Sequence, residues 1–530
     1  MKKLVVKNPV LKGFNPDPSM IYLKDTFYIA TSTFEYKPGV VIHYSKDLVH
    51  WEQTGVLEDP GQLNLTGIPA SGGIWAPCIR YHEEEQLFYL LYTNFKSSYT
   101  PPFRDQDNYL ITAPDIHGPW SAPVHINASG YDPAIFFDDD GKAYITNMLW
   151  DYRPVQDKRS AGIVLQEYDW KNRQMVGEPK MMFEGTEIGQ TEGPNIYKKD
   201  GWYYLMTAEG GPSYEHRVTL VRSKNIWGPY ELHPDKYILT SEGTDCYLQK
   251  AGHASICQDK HGRWYIAYLC SRPLDNQRCV MGRETAVQEV EWREDGWLYL
   301  KNGKTCPDNQ FIAYVDDDVT PPAERVEITY TFENEEFLAD FMTLREPTRN
   351  GRFSLTDRPG YLRMYGRESM NSVIEQSVLV HRQTEHAFEV ITELEFDPKN
   401  YAHMAGLIYR YNEGNQHYCY MTHHETRGNV IGRITIDRGR DWMLPEEEQI
   451  ILSSNHVWIK VEVHGATGRF YCSEDGVLFT QVGEAFDASI LSDDYAFGFT
   501  GAMVGMACQD LHFHRHPVDF KNFVYKELEG

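Results

Sequence analysis

Apolar and polar residues alternate with a period of two through most of the first part of the chain. The alternation is punctuated by Asp140-Gly141, Asp200-Gly201 and His261-Gly262. Such alternation predicts half-buried strands, and the glycine pairs predict hairpins between them. Five predicted strands share one pattern, TFYIATS, LFYLLYT, KAYITNM, WYYLMTA and RWYIAYL, with tyrosines at Tyr28, Tyr89, Tyr144, Tyr204 and Tyr265. Their spacings of 61, 55, 60 and 61 residues are those of one small sheet copied five times. YSKDLVHWE, TAPDIHGPWSAP and SKNIWGPYE follow in the first, second and fourth copies and predict an outer strand closed by an aromatic turn. LQEYDWKNRQMVGEP and GRETAVQEVEW keep this less clearly in the third and fifth. No helical stretch of comparable strength competes.

A second short strand precedes each tyrosine strand, as NPDPSMI, IWAPCIR, YDPAIFF, TEGPNIY and AGHASIC. Aligned on the proline, or on Ala254 in the last, these segments put Asp17, Ala76, Asp132, Gly193 and His253 at one equivalent position. In a propeller such strand entrances face the central axis. Asp17, Asp132 and Glu192, one residue earlier in its own copy, are then expected to converge there. Singly, Asp17 and Asp132 read first as turn formers before a strand. Three together are harder to explain by turns alone, because like charges on one axis cost energy and are kept for chemistry or metal binding.

The repeat ends near Trp292, and Val315 to Ile328, with three aspartates and two prolines, interrupts the strand pattern as a linker would. Beyond it, HAFEVITELEF and HVWIKVEVHGATGRFYCSEDG alternate like half-buried antiparallel strands of a two-sheet sandwich. The expected fold is all-β, a five-bladed β-propeller over 1–315, a linker over 316–325 and a jelly-roll-like β-sandwich over 326–530.

Composition narrows the partners. A formal net charge of −25 over 530 residues disfavours a nucleic-acid backbone or an anionic membrane surface and suits a neutral ligand. The first residues carry two lysines but no apolar run of signal-peptide length before Pro9, so a cytoplasmic protein is expected. Nine cysteines at irregular spacing give neither a disulfide framework nor a CxxC metal site, and read as core residues.

One carboxylate to activate water and one carboxylic acid to protonate a leaving oxygen suffice to cleave a glycosidic bond, and a third can raise the acid's pKa. Trp75 and Trp150 fall beside the predicted axial ends and could offer flat faces to sugar C–H surfaces; a core or inter-blade role competes for each.

The segments NPVLKGFNPDPSMI, YIATSTFEYKPGVVIHYSKDLVHW, SGGIWAP, TEGPNIY, YYLMTAEGG, GHASI and GRETAVQ closely resemble glycoside hydrolase family 43 in its β-xylosidase branch. The resemblance continues in FMTLREP, LTDRPGYLRMYG, MAGLIYRYN and FTGAMVG, and so covers nearly the whole chain. It implies an exo-acting, inverting hydrolase that releases xylose from the non-reducing ends of β-1,4-xylo-oligosaccharides. The alternatives are an α-L-arabinofuranosidase, a dual activity, or a non-catalytic sugar-binding propeller. By the same resemblance Asp17 is the general base, Glu192 the general acid and Asp132 the pKa modulator and orienting residue. Phe34, Arg283 and His253 match substrate-contacting positions, with a core phenylalanine, a structural salt bridge and a satisfied core histidine as the competing readings.

The resemblance also implies that the sandwich closes the pocket with an aromatic side chain from FGFTGAMVG, Phe499 before Phe497, although both could be sandwich core. It requires no cofactor, allows Ca2+ at the axis near His253, and allows a homo-oligomer. Cys78 and Cys246-Tyr247 depart from the family pattern, which bears on subsite shape and leaves the xylose-to-arabinose balance open.

Overall fold

Each tyrosine strand is the second strand of a four-stranded antiparallel sheet in the computed structural model, which describes residues 2–97, 102–153, 159–316, 326–348 and 350–529. The first sheet is Ser19–Leu23, Thr26–Thr31, Val40–Ser45 and Glu52–Val56. The innermost strands of the other four are Gly73–His82, Ala134–Phe137, Glu192–Lys199 and Gln249–Gln258. Neighbouring innermost strands touch in order, and the fifth touches the first, so the ring is closed. The predicted five-bladed propeller is the observed one.

The glycine pairs do what the pattern asks of them. Gly141, Gly201 and Gly262 have φ of 83°, 72° and 78° and turn the first strand of blades three to five into the second. TAPDIHGPWSAP spans the turn between Gln106–Ala113 and Val124–Asn127, so the aromatic motif marks the hairpin between third and fourth strands.

Ring closure is not made inside a blade. Lys2–Lys7 pairs with Gln310–Val315 as a separate two-stranded sheet. Asn8 ties that strand to the fifth blade, donating to Val287 O at 2.8 Å and accepting from Val287 N at 3.0 Å. Of the expected linker, residues 317–325 lie outside the described residues.

The remaining strands form two nine-stranded sheets packed face to face. In Ala387–Phe396 and His456–His464 alternate residues are buried, and Phe388, Val390, Val457, Ile459 and Val461 meet Leu407, Tyr409, Val504 and Met506 of the facing sheet. One of these sheets ends on a propeller segment. Tyr36–Lys37, from the first blade, pairs antiparallel with Leu344 and Thr343, so the two parts share a sheet edge. Among the described residues no helix is long and apolar enough to cross a membrane. All nine cysteines are free thiols, seven of them buried.

Candidate active site

The five equivalent positions share one backbone conformation. Asp17, Ala76, Asp132, Gly193 and His253 have φ of 57°, 40°, 59°, 60° and 43°. Four of the five are not glycine, and a left-handed backbone costs an L-residue roughly 1–2 kcal/mol. The geometry is held by bonds between blades. Ala76 N–H donates to Ser32 Oγ at 2.7 Å, Asp132 N–H to Thr93 Oγ1 at 3.1 Å, and Gly193 N–H to Asp132 Oδ2 at 2.9 Å. Ladder irregularities after Trp75, Glu192 and Gly252 accompany the turn, as bulges do where side chains must be re-aimed.

Asp17, Asp132 and Glu192 open together into one cavity of about 650 Å³. Asp17 accepts from Ser32 Oγ at 2.6 Å and from Arg283 Nη1 at 2.7 Å, with His253 Nδ1 at 3.6 Å. Burial works to raise its pKa, but the Arg283 guanidinium, then His253 and the Ser32 hydroxyl, overcome burial and hold the carboxyl below its usual value. Glu192 is the opposite case. Its enclosure raises the pKa, the Tyr131 hydroxyl donating at 3.1 Å counters this, the Asp17 charge adds to it, and the result is a carboxyl raised to about 7. Enclosure, then the charges of Glu192 and Asp17, push Asp132 well above the carboxylate range. Burial, reinforced by the Arg283 charge, lowers the His253 pKa more than Asp17 raises it.

Phe34, Trp75, Trp150, His253, Arg283 and Phe499 all line this cavity. Phe34, Trp75 and Phe499 form an aromatic wall, with centroids 5.8 Å apart for Phe34–Trp75, 6.4 Å for Phe34–Phe499 and 5.7 Å for Trp75–Phe499. Trp75 is backed by Phe95, stacked at 4.1 Å. Phe499 comes from the sandwich, and its carbonyl accepts from Arg283 Nη2 at 2.9 Å. Phe497 ends the helical turn Asp493–Ala496 with φ 58°, is 67% exposed and does not line the cavity. Close approach of the sandwich segment depends on Gly282 and Gly501, where a Cβ would meet Thr500 O at 2.3 Å and Met281 O at 2.5 Å.

Other residues of the cavity have no signal in the repeat. Tyr131, Arg104, Arg159, Ile188 and Gln190 also line it. Arg104 lies over the Trp150 ring at 3.5 Å, and Trp150 Nε1 donates to Pro102 O at 2.8 Å. Cys78, Cys246 and Tyr247, the departures from the family pattern, do not line the cavity. Among the described residues no three His, Cys, Asp or Glu side chains are grouped so as to hold a metal ion.

Residues 6–298 match the family model described as glycosyl hydrolases family 43. The chain belongs to glycosyl hydrolases family 43. Within this family the second part, residues 329–526, matches the beta xylosidase C-terminal concanavalin A-like domain. The chain is 41% identical to "Xylosidase/arabinosidase 43B" of Humicola insolens over 99% of this chain and 98% of that protein. It is also 41% identical to "Beta-xylosidase" of Bacillus subtilis (strain 168) over 98% of this chain and 99% of that protein. The crystal structure of xylan beta-1,4-xylosidase from Bacillus halodurans C-125 superposes with a TM-score of 0.94 at 44% identity, covering 98% of this chain and all of the other. This family 43 member is thus a glycoside hydrolase with the two-part architecture of its full-length relatives.

Proposed function

We propose that the enzyme removes xylose from the non-reducing ends of β-1,4-xylo-oligosaccharides by a single inverting displacement. Asp17, ionised, takes a proton from the attacking water. Glu192, protonated below about pH 7, gives its proton to the leaving oxygen. Asp132 holds the backbone beside Glu192 through the Gly193 N–H and is electrostatically coupled to both other carboxyls. Phe34, Trp75 and Phe499 pack on the terminal sugar and close the space beyond it, which restricts attack to chain ends. Trp150 receives the next sugar. No step is assigned to a metal ion.

The observation that carries this reading is the convergence of Asp17, Asp132 and Glu192 on one cavity beside an aromatic wall, with Asp17 bonded by Arg283 and Ser32 and Glu192 by the Tyr131 hydroxyl. A carboxylate paired with a cation suits the base and an enclosed carboxyl suits the acid, and the two pKa values are displaced accordingly, Asp17 downward and Glu192 upward. A second reading, α-L-arabinofuranosidase activity at the same site, is favoured by the double name of the Humicola insolens relative. Rates on aryl xylosides and aryl arabinofuranosides separate the two readings.

The acid assignment is tested by leaving-group dependence. An activated phenolate leaves with little help from a proton, so Glu192→Ala should lose far more rate on xylobiose than on a nitrophenyl xyloside. Equal losses on the two substrates would remove Glu192 from the role.

A further inference from the structure

The SGGIWAP motif begins with Ser71, which does not line the cavity yet touches the aromatic wall from behind. Ser71 is 1% exposed, stands two residues before the strand Gly73–His82, and has φ of 61°. It makes three hydrogen bonds, one to the first blade, one within its own motif and one to the sandwich. Its N–H donates to Glu35 Oε2 at 3.0 Å, its carbonyl accepts from Trp75 Nε1 at 3.0 Å, and its Oγ accepts from Phe499 N–H at 2.9 Å. Glu35, fully buried, follows Phe34 in the chain, and its own carbonyl accepts from Arg345 N–H of the sandwich at 2.8 Å. Phe34, Trp75 and Phe499 therefore have one polar residue in common. The fit around it is tight, since a Cβ at Gly498 would stand 2.8 Å from Ser71 Oγ and 2.6 Å from Tyr411 Oη.

We propose that Ser71 is the positioning residue that sets the sandwich-borne wall against the propeller, and so determines how tightly the terminal sugar is held. Two of its three bonds use backbone atoms and survive any substitution that keeps the loop. Only the hydroxyl is specific to serine, and it is the bond that crosses to Phe499. Ser71 thus acts through Phe499, not on the reacting atoms. This inference rests on the function proposed above for its substrate.

Glycine is the informative replacement, because it suits the left-handed backbone and removes the hydroxymethyl group while keeping both backbone bonds. In Ser71→Gly, KM for xylobiose should rise about tenfold, the scale of one lost buried hydrogen bond, while kcat changes by less than about twofold. Because the effect runs through Phe499, the double variant S71G/F499A should have the KM of F499A alone. Amide hydrogen exchange in the peptide covering residues 497–503 should speed up in S71G with no sugar present. An unchanged KM, a KM effect that adds to that of F499A, a loss confined to kcat, or unchanged exchange would each overturn the assignment. A wild-type enzyme inert on xylobiose would sink the reaction proposed above and not the clamp, which the exchange experiment reads independently.

Discussion

Asp17 and Glu192 are chemically alike and are made different by their neighbours. Arg283 and Ser32 both bond Asp17, whereas Glu192 has the Tyr131 hydroxyl as its hydrogen-bond donor. The activity profile should therefore fall on the alkaline side as Glu192 loses its proton, with that limb centred near the value of about 7. Tyr131 donates to the ionised form and so lowers the Glu192 pKa; Tyr131→Phe should move the alkaline limb upward. A limb that stays in place or moves down, read from kcat/KM against pH, would show that Tyr131 does not govern the acid. The three carboxyls were legible because the repeat brings equivalent positions to one axis. Tyr131 was not, although it stands beside Asp132 in a quoted motif, because one tyrosine among 35 carries no distinguishing signal. Arg104 and Ser71 lie in loops, where no periodicity points to a side chain's direction.

At the scale of elements, the recurring device within this chain is the left-handed residue just before each inner strand or within its first half. Its recurrence in five blades shows that the repeat preserves a backbone turn, while the side chain mounted on it is free to vary between Asp, Ala, Gly and His. Gly193 is the blade where the turn is relaxed and where a neighbour needs the room. A Cβ there would stand 3.1 Å from the His253 ring at φ 60°. Gly193→Ala should therefore destabilise the protein by about 1–2 kcal/mol through backbone strain, and should also lower activity by disturbing His253 and the Glu192 backbone. A variant with unchanged thermal midpoint and rate would mean that the turn tolerates a side chain. Strand order and hairpins followed from alternation and glycine pairs. The pairing of Tyr36–Lys37 with Thr343 and Leu344 did not, since a two-residue strand is fixed by the partner that reaches it and not by its own pattern.

At the scale of the whole molecule, the sandwich contributes Phe499 to the lining of the cavity. The segment that carries Phe499 is anchored on the fifth blade by Lys250 and Asp494, paired at 2.6 Å, and by Cys279 N–H donating to Asp494 Oδ2 at 2.8 Å. It ends in the backbone bond from Ala502 N–H to Val280 O at 2.8 Å. Phe499→Ala should mainly raise KM for xylobiose and leave kcat close to that of the parent, because an apolar wall binds ground state and transition state alike. A KM unchanged by Phe499→Ala would take the sandwich out of the binding site. The sequence pointed to the FGFTGAMVG segment but not to the residue, since Phe497 and Phe499 differ only in which one the turn after Asp493–Ala496 directs inward.

The central claim is a single displacement in which Asp17 delivers water opposite the bond that Glu192 protonates. Such a mechanism needs the two carboxyls roughly 6.5–9.5 Å apart and must invert the anomeric centre. NMR of the first xylose released from a β-xyloside, recorded before mutarotation, tests it most directly. The account predicts α-xylose as the initial product; initial β-xylose would mean retention and would contradict it.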